Sequence, residues 1–275
     1  MDRWHVVALV AGMGFFAGCG GYEATGDDAL DSGGLIEPEA VTGIATTNGL
    51  EAINGIETIN GIDTLNGIDT LNGIDTLNGL DTVDGLEDGI GLMATASGRK
   101  TVEYMVRCAL PAGESITKTD QRGYRHTFYG SLGVAPEWRT DACGQECKEA
   151  VSACLGAHLN ATGINIPIYL VGSSSDFLYI DPVLDPNYPN QEGSFFGDIF
   201  ASPPHLYYCN GRDFGTNVVP GRIGSDDGQT RPYTNPFTDN DGMCDQNCTQ
   251  IDCPYASSGY KSCLGYSKVL TVWRQ

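Results

Sequence analysis

Between Thr42 and Gly89 apolar residues recur at every third position, from Ile56, Ile59 and Ile62 through Leu65, Ile68 and Leu71 to Leu80 and Val83. A spacing of three walks around an α-helix and changes face at each step along a β-strand. The unit is a hexad, Asn-Gly-Ile-Asp-Thr-Leu, opening at Asn48, Asn54, Asn60, Asn66, Asn72 and Asn78, with degenerate copies from Thr42 and Asp84. Terminal copies of a repeat commonly degenerate in this way. One glycine per copy costs a helix about 1 kcal/mol relative to alanine. The pattern therefore predicts neither an ordinary helix nor an ordinary sheet. Two readings remain: an acidic spacer over residues 42–92, whose hexads from 42 to 89 reach at most about 160 Å at ~3.3 Å per residue, or a short solenoid with rungs ~4.8 Å apart. The acids Glu57, Asp63, Asp69, Asp75 and Asp81 keep either form soluble.

Beyond residue 97 the periods become familiar. Ser97 suits the N-cap of a helix whose apolar face is Val102, Met105, Val106, Ala109 and Leu110, ending before Pro111. Residues 114–119 and 126–134 are rich in β-branched and aromatic side chains and predict strands. A second and main helix is expected over 142–160, capped by Asp141. Ile164, Ile166, Ile168 and Leu170 alternate along a half-buried strand over 163–171, in which Pro167 calls for an edge or bulge. Further strands are expected at 194–200, 205–209 and 268–273, separated by loops at 172–193 and 211–242. Residues 97–275 thus form an α+β domain, with one main helix on an antiparallel sheet.

Cysteine use describes how that domain is held. Cys108, Cys143, Cys147, Cys154, Cys209, Cys244, Cys248, Cys253 and Cys263 all fall within it. Such density fits disulfides formed in an oxidising compartment, about four of them. Nine is odd, so one of these thiols pairs elsewhere or not at all unless Cys19 joins them. Cys143, Cys147 and Cys154 share one face of the expected helix, and neighbours on a regular helix aim poorly at each other. Each is therefore expected to reach a different partner, with Cys108, Cys209 and the last cluster as candidates. His158, four residues after Cys154, would complete a metal site with those thiols, but disulfides are the expectation in this compartment. The spacings of Cys244, Cys248, Cys253 and Cys263 do not match a zinc module. No cofactor or metal is expected.

Charge divides the chain. The net charge is −20, and residues 20–98 hold fifteen acids and no Lys or Arg. That field repels nucleic-acid phosphates and anionic lipid heads. Nucleic acid is excluded as a partner, and membrane attachment through the protein surface is disfavoured.

Attachment has another route. Arg3 precedes an apolar run from Val6 to Ala17, closed by Phe16-Ala17-Gly18-Cys19. A run of twelve is too short for a membrane span, which needs about 20 residues, and fits a secretion signal. The segment resembles the lipobox of bacterial lipoproteins, although Phe16 stands where that family most often carries Leu. The resemblance implies cleavage before Cys19, acylation of its sulfur and a membrane partner reached through that anchor. Gly20 in place of the Asp that favours inner-membrane retention implies the outer membrane. The alternative is an ordinary secretory signal cut near Ala17 or Gly18. Residues 1–19 are then the signal and 20–41 an aperiodic acidic tether. With the hexads and the cysteine-rich domain, the layout resembles uncharacterised lipoproteins of Gram-negative bacteria.

Catalytic motifs are missing from the sequence. His126 is a strand histidine, and neither His158 nor His205 lies in a recognisable motif. Asp239, Asp241 and Asp245 suit either calcium or Asx turns. Asp181 with Glu192 or Asp198, near Tyr179, Tyr188 and Phe195, has the composition of a glycosidase carboxylate pair. The first expectation is a binding or structural module for a cell-envelope or protein partner. The alternatives are a secreted polysaccharide hydrolase using those loop carboxylates, and a repeat that self-associates.

Overall fold

The computed structural model describes residues 44–48, 50–51, 74–160, 166–174, 177–178, 186–213, 242–251 and 259–275. The expectations for Cys19, the tether, the hexads over 52–73, Tyr179, Asp181, Asp239, Asp241 and Cys253 lie outside these residues. Among the described residues no helix is long and apolar enough to cross a membrane.

The elements, in chain order, begin with strands β1 (Ile44–Asn48) and β2 (Leu50–Glu51). Helix α1 (Ala96–Ala109) follows, then the hairpin β3 (Ser115–Thr119) and β4 (Arg125–Tyr129). Helix α2 (Gln145–His158) leads into β5 (Leu159–Asn160), β6 (Ile166–Val171), β7 (Asn190–Asp198) and β8 (His205–Asn210). The tail carries α3 (Cys244–Asn247), β9 (Thr249–Gln250), β10 (Tyr260–Ser262) and β11 (Leu270–Arg274). Short 3₁₀ turns at Gly91–Ala94 and Pro136–Arg139 precede the two long helices. The chain is α+β.

The main sheet runs β1-β6-β11-β7-β8, every neighbouring pair antiparallel. Alternation assigns its two faces. Ile168 and Leu170 of β6, Phe195 of β7, Leu206 and Tyr208 of β8, and Leu270 and Val272 of β11 join the core beneath α2. Their neighbours in sequence point away. Tyr169, Val171 and Trp273 meet Tyr188, and Phe196 and Cys209 meet Cys244, Tyr260, Cys263 and Val269. The sheet is thus covered on both faces, by α2 on one and by the tail and Tyr188 on the other. The strand expected to be half-buried is buried on both sides at its end. It is also interior rather than at an edge. Pro167 is tolerated because β11 pairs only with Tyr169–Val171, so the ladder on that side has ended before the proline.

Helix boundaries move by a few residues. Thr95, not Ser97, caps α1, its Oγ1 accepting from the Gly98 N–H at 3.0 Å. Gly144, not Asp141, precedes α2. That second shift changes the disulfides. Cys143 lies before the helix, where its Cβ is free of helical geometry, and it bonds Cys147 across a Cα–Cα distance of 5.2 Å. The expectation of three separate partners for the cysteines of this helix is corrected: one pair is local. Cys154 does reach Cys108, tying α2 to α1. Cys209–Cys244 fastens the tail to β8 and Cys248–Cys263 closes the tail on itself, with the sulfurs of Cys209 and Cys248 3.7 Å apart.

The repeat also behaves differently from a plain spacer. Ile74, Leu80, Leu86 and Leu92, six residues apart, are all buried in the main core. Leu77 and Val83, the other apolar position of each hexad, are 76% and 84% exposed. Gly79 and Gly85 let the turns pack. A Cβ on Gly85 would lie 1.8 Å from the carbonyl oxygen of Gly79, and one on Gly79 would lie 2.3 Å from the carbonyl carbon of Thr140. Asp75 closes a turn by accepting from the Leu77 N–H and the Asn78 amide, each at 2.8 Å. Leu80 and Asp81 donate their N–H groups to the carbonyls of Trp138 and Arg139. Lys118 of β3 reaches back to the carbonyl of Thr82 at 2.6 Å. The domain core therefore begins by Ile74, not near Ser97, and β1, from the first degenerate copy, pairs with β6. The reason is hydrophobic: a buried aliphatic side chain contributes ~1.5–3 kcal/mol that a solvated spacer forgoes.

Candidate functional site: a basic groove between α1 and β4

Helix α1 turns Val102, Met105, Val106 and Ala109 into the core. The same 3.6-residue period places Arg99, Glu103 and Arg107 together on a flank beside that core face, with Lys100 next to them. Strand β4 runs against that flank. Between them lies a cavity of about 660 Å³ lined by Arg99, Lys100, Glu103, Arg107, Arg125, His126 and Tyr129, among others. Its volume falls in the range of small-ligand sites, about 300–1,000 Å³. Four permanent cations and one carboxylate line the cavity, in a chain whose whole complement of Lys and Arg is 15 against 35 acids.

Asp120, at the start of the β3–β4 turn, orders this wall. Its Oδ1 accepts from the backbone N–H groups of Arg122 and Tyr124, at 2.9 and 3.0 Å. Its Oδ2 lies 3.1 Å from Nε2 of His126 and 4.0 Å from the guanidinium of Arg99. Burial opposes ionisation of Asp120, but the hydrogen bonds from His126, Tyr124 and Arg122 outweigh it and hold the carboxyl below its ordinary range. Arg99 is further pinned by donating to the carbonyl of Met93 at 3.0 Å. Lys100 pairs with Glu103 at 3.1 Å, both side chains nearly half-exposed, and lies 5.1 Å from the ring of Tyr104. Arg107 approaches the same ring at 5.7 Å. Burial, eased by Arg107 and reinforced by Glu103, raises the pKa of the Tyr104 phenol and so favours its neutral form. Arg125 is exposed, and Tyr129 on the same strand is 70% exposed.

The sequence-predicted site residues lie elsewhere. Glu192 and Asp198 are buried within β7 rather than on a loop. Six residues at ~3.3 Å each set their backbones roughly 20 Å apart, so at most one of them can partner any third acid at glycosidase spacing. Asp198 accepts from the Phe200 N–H at 2.8 Å and from the Gln145 amide at 3.1 Å. The same amide serves Glu149 of α2 at 3.2 Å, whose other oxygen takes the N–H and hydroxyl of Ser267. These acids anchor α2 to the sheet. Tyr188 and Phe195 are core residues. Asp245 accepts from the Tyr260 hydroxyl and from Gln250. Burial first, then Asp245, drives the Tyr260 phenol far above its ordinary pKa.

His126 is on a strand, as its neighbours suggested, and it also faces the groove. His158 is buried, its Nδ1 2.8 Å from the carbonyl of Cys154. Cys154 is committed to a disulfide and does not offer the thiolate of the metal site considered for it. The four cations of the groove went unremarked in the sequence. The signal that finds them is Arg99-Glu103-Arg107 at helical spacing followed by Arg125-Thr127-Tyr129 on one strand face.

Comparison with known proteins gives no match: no family model matches the chain, and no curated protein or solved structure matches it.

Proposed function

We propose that this chain is an exported, lipid-anchored binding protein that takes a ligand in the groove between α1 and β4. The observation carrying the binding reading is the groove itself, a cavity with four cations and an exposed tyrosine set into an acidic chain. Four disulfides support an oxidising compartment. The lipobox-like run ending at Cys19 supports acylation, and two or more acyl chains hold a membrane stably where one is marginal. The acidic residues that follow repel anionic headgroups, so the domain stands off the bilayer on its tether.

The test is made on the chain expressed with its own leader. The expected mature protein starts at an acylated Cys19 by mass spectrometry of its N-terminal peptide and enters the detergent phase on partition. Cys19→Ala moves it to the aqueous phase. A mature protein with a free thiol at Cys19, partitioning wholly into water, overturns the anchor.

A further inference from the structure

We infer that the ligand of the α1–β4 groove is an anionic oligosaccharide, bearing carboxylate or phosphate groups at wide spacing; this rests on the binding reading above and adds the chemistry of the ligand.

Three features of the groove select that chemistry. The first is local charge of the opposite sign to the whole. A net charge of −20 repels any densely charged polyanion before it arrives. Beyond roughly 8 Å that repulsion is screened at physiological salt, so a ligand with isolated anionic groups approaches at little cost. Inside the groove the cations Arg99, Lys100, Arg107 and Arg125 outnumber the carboxylates, Glu103 on the lining and Asp120 4.0 Å from Arg99. The selected ligand carries few charges.

The second feature is preparation of the cations. Arg99 is held in place by Met93 and Asp120 before any ligand arrives. A guanidinium so fixed presents its fork to a carboxylate or phosphate without losing further side-chain freedom. Lys100 is paired with the solvent-exposed Glu103, three residues away, and lies over the Tyr104 ring. Such a pair holds weakly, so the ammonium exchanges partners readily.

The third feature separates a sugar from a free anion. Tyr129 presents a largely exposed ring at the groove, four residues along β4 from Arg125 on the same face. At ~3.3 Å per residue these positions are about 13 Å apart, farther than one sugar ring extends. A ligand that meets both has an apolar ring face at one end and a negative group at the other. An oligosaccharide with acidic substituents has that form, whereas inorganic phosphate leaves the tyrosine unused.

The experiment measures binding by titration calorimetry on the full chain with its disulfides intact. The probes are a tetramer of neutral sugars carrying one terminal uronate, its methyl-esterified form, the same tetramer carrying one terminal phosphate instead, and glucose 1-phosphate. The uronate and phosphate arms identify the source of the charge. At least one acidic probe is expected to bind. Arg125→Ala should weaken it roughly ten- to a hundredfold, the loss of a charged hydrogen bond. Tyr129→Ala should weaken it about three- to tenfold, the loss of ring contact. Both side chains are exposed, so both variants should melt with the parent. The inference is overturned if no acidic probe binds, if the esterified tetramer binds as well as the acid, or if either substitution leaves affinity unchanged. A neutral tetramer that binds and is lost with Tyr129→Ala overturns the anionic chemistry while leaving a binding groove. The anchor is judged separately by the Cys19 partition.

Discussion

Asp120 and His126 are joined through one carboxylate oxygen, with Oδ2 3.1 Å from Nε2, and that same oxygen faces Arg99. One residue in a hairpin turn thus sets two side chains of the groove, Arg99 from α1 and His126 from β4. Its other oxygen closes the turn through two backbone N–H groups.

Asp120→Asn should lower the melting temperature at neutral pH and lower it less in acid. The native carboxyl is held below the ordinary range, while the unfolded one titrates near ~3.9. The unfolded state therefore binds the proton first, so the stabilisation is complete above that value and fades as pH falls through the native pKa. Melts from pH 7 down to pH 2 should show parent and variant converging at the acid end.

The hexad makes a sharper prediction, because its two apolar positions look alike in sequence. Leu80→Ala should cost about 2–5 kcal/mol, the range for a buried leucine. Leu77→Ser should stay within about 0.5 kcal/mol, as for an exposed substitution. Equilibrium urea unfolding of the full chain, with disulfides intact, measures both. Equal effects at the two positions would remove the inward assignment of the third residue.

Gly85→Ala tests the close stacking of successive turns. The added methyl meets the Gly79 carbonyl oxygen, a backbone atom that cannot swing aside. Overpacking of this kind typically costs about 1–3 kcal/mol, occasionally more. Gly113→Ala is the control for space, since nothing lies within 4 Å there, though its φ of +93° still strains alanine. A lower denaturant midpoint for Gly85→Ala than for Gly113→Ala is the expected result.

Removing the disulfides one at a time should rank them by loop length. Cys108–Cys154 spans 46 residues and Cys143–Cys147 spans four. Chain-entropy estimates for such loops are about 4 and about 2 kcal/mol. Paired Cys→Ala variants in denaturant titrations test the order, and non-reducing peptide maps test the pairing. A map joining Cys143 to the tail would contradict the local bridge.

The sequence alone determined what local periodicity can carry. The 3.6-residue spacing of Val102, Met105, Val106 and Ala109 marked α1, and the alternation of Ile168 and Leu170 placed them on one face of β6. The density of cysteines likewise announced a stapled α+β domain. Tertiary structure decided matters that depend on partners distant in the chain. The third and sixth residues of the hexad are equally apolar, and only the neighbouring core, with Trp138 and Thr140 against the turns, turns Leu80 inward and leaves Leu77 in water. Starting the helix after Cys143 converted an expected long-range bridge into a local one. The groove exists because α1 lies beside β4, bringing Arg99 and Lys100 to Arg125 and Tyr129 across more than twenty residues of chain. Charge acts through space and periodicity acts along the chain, so a cationic site assembled from a helix and a strand takes form only when the two are packed together.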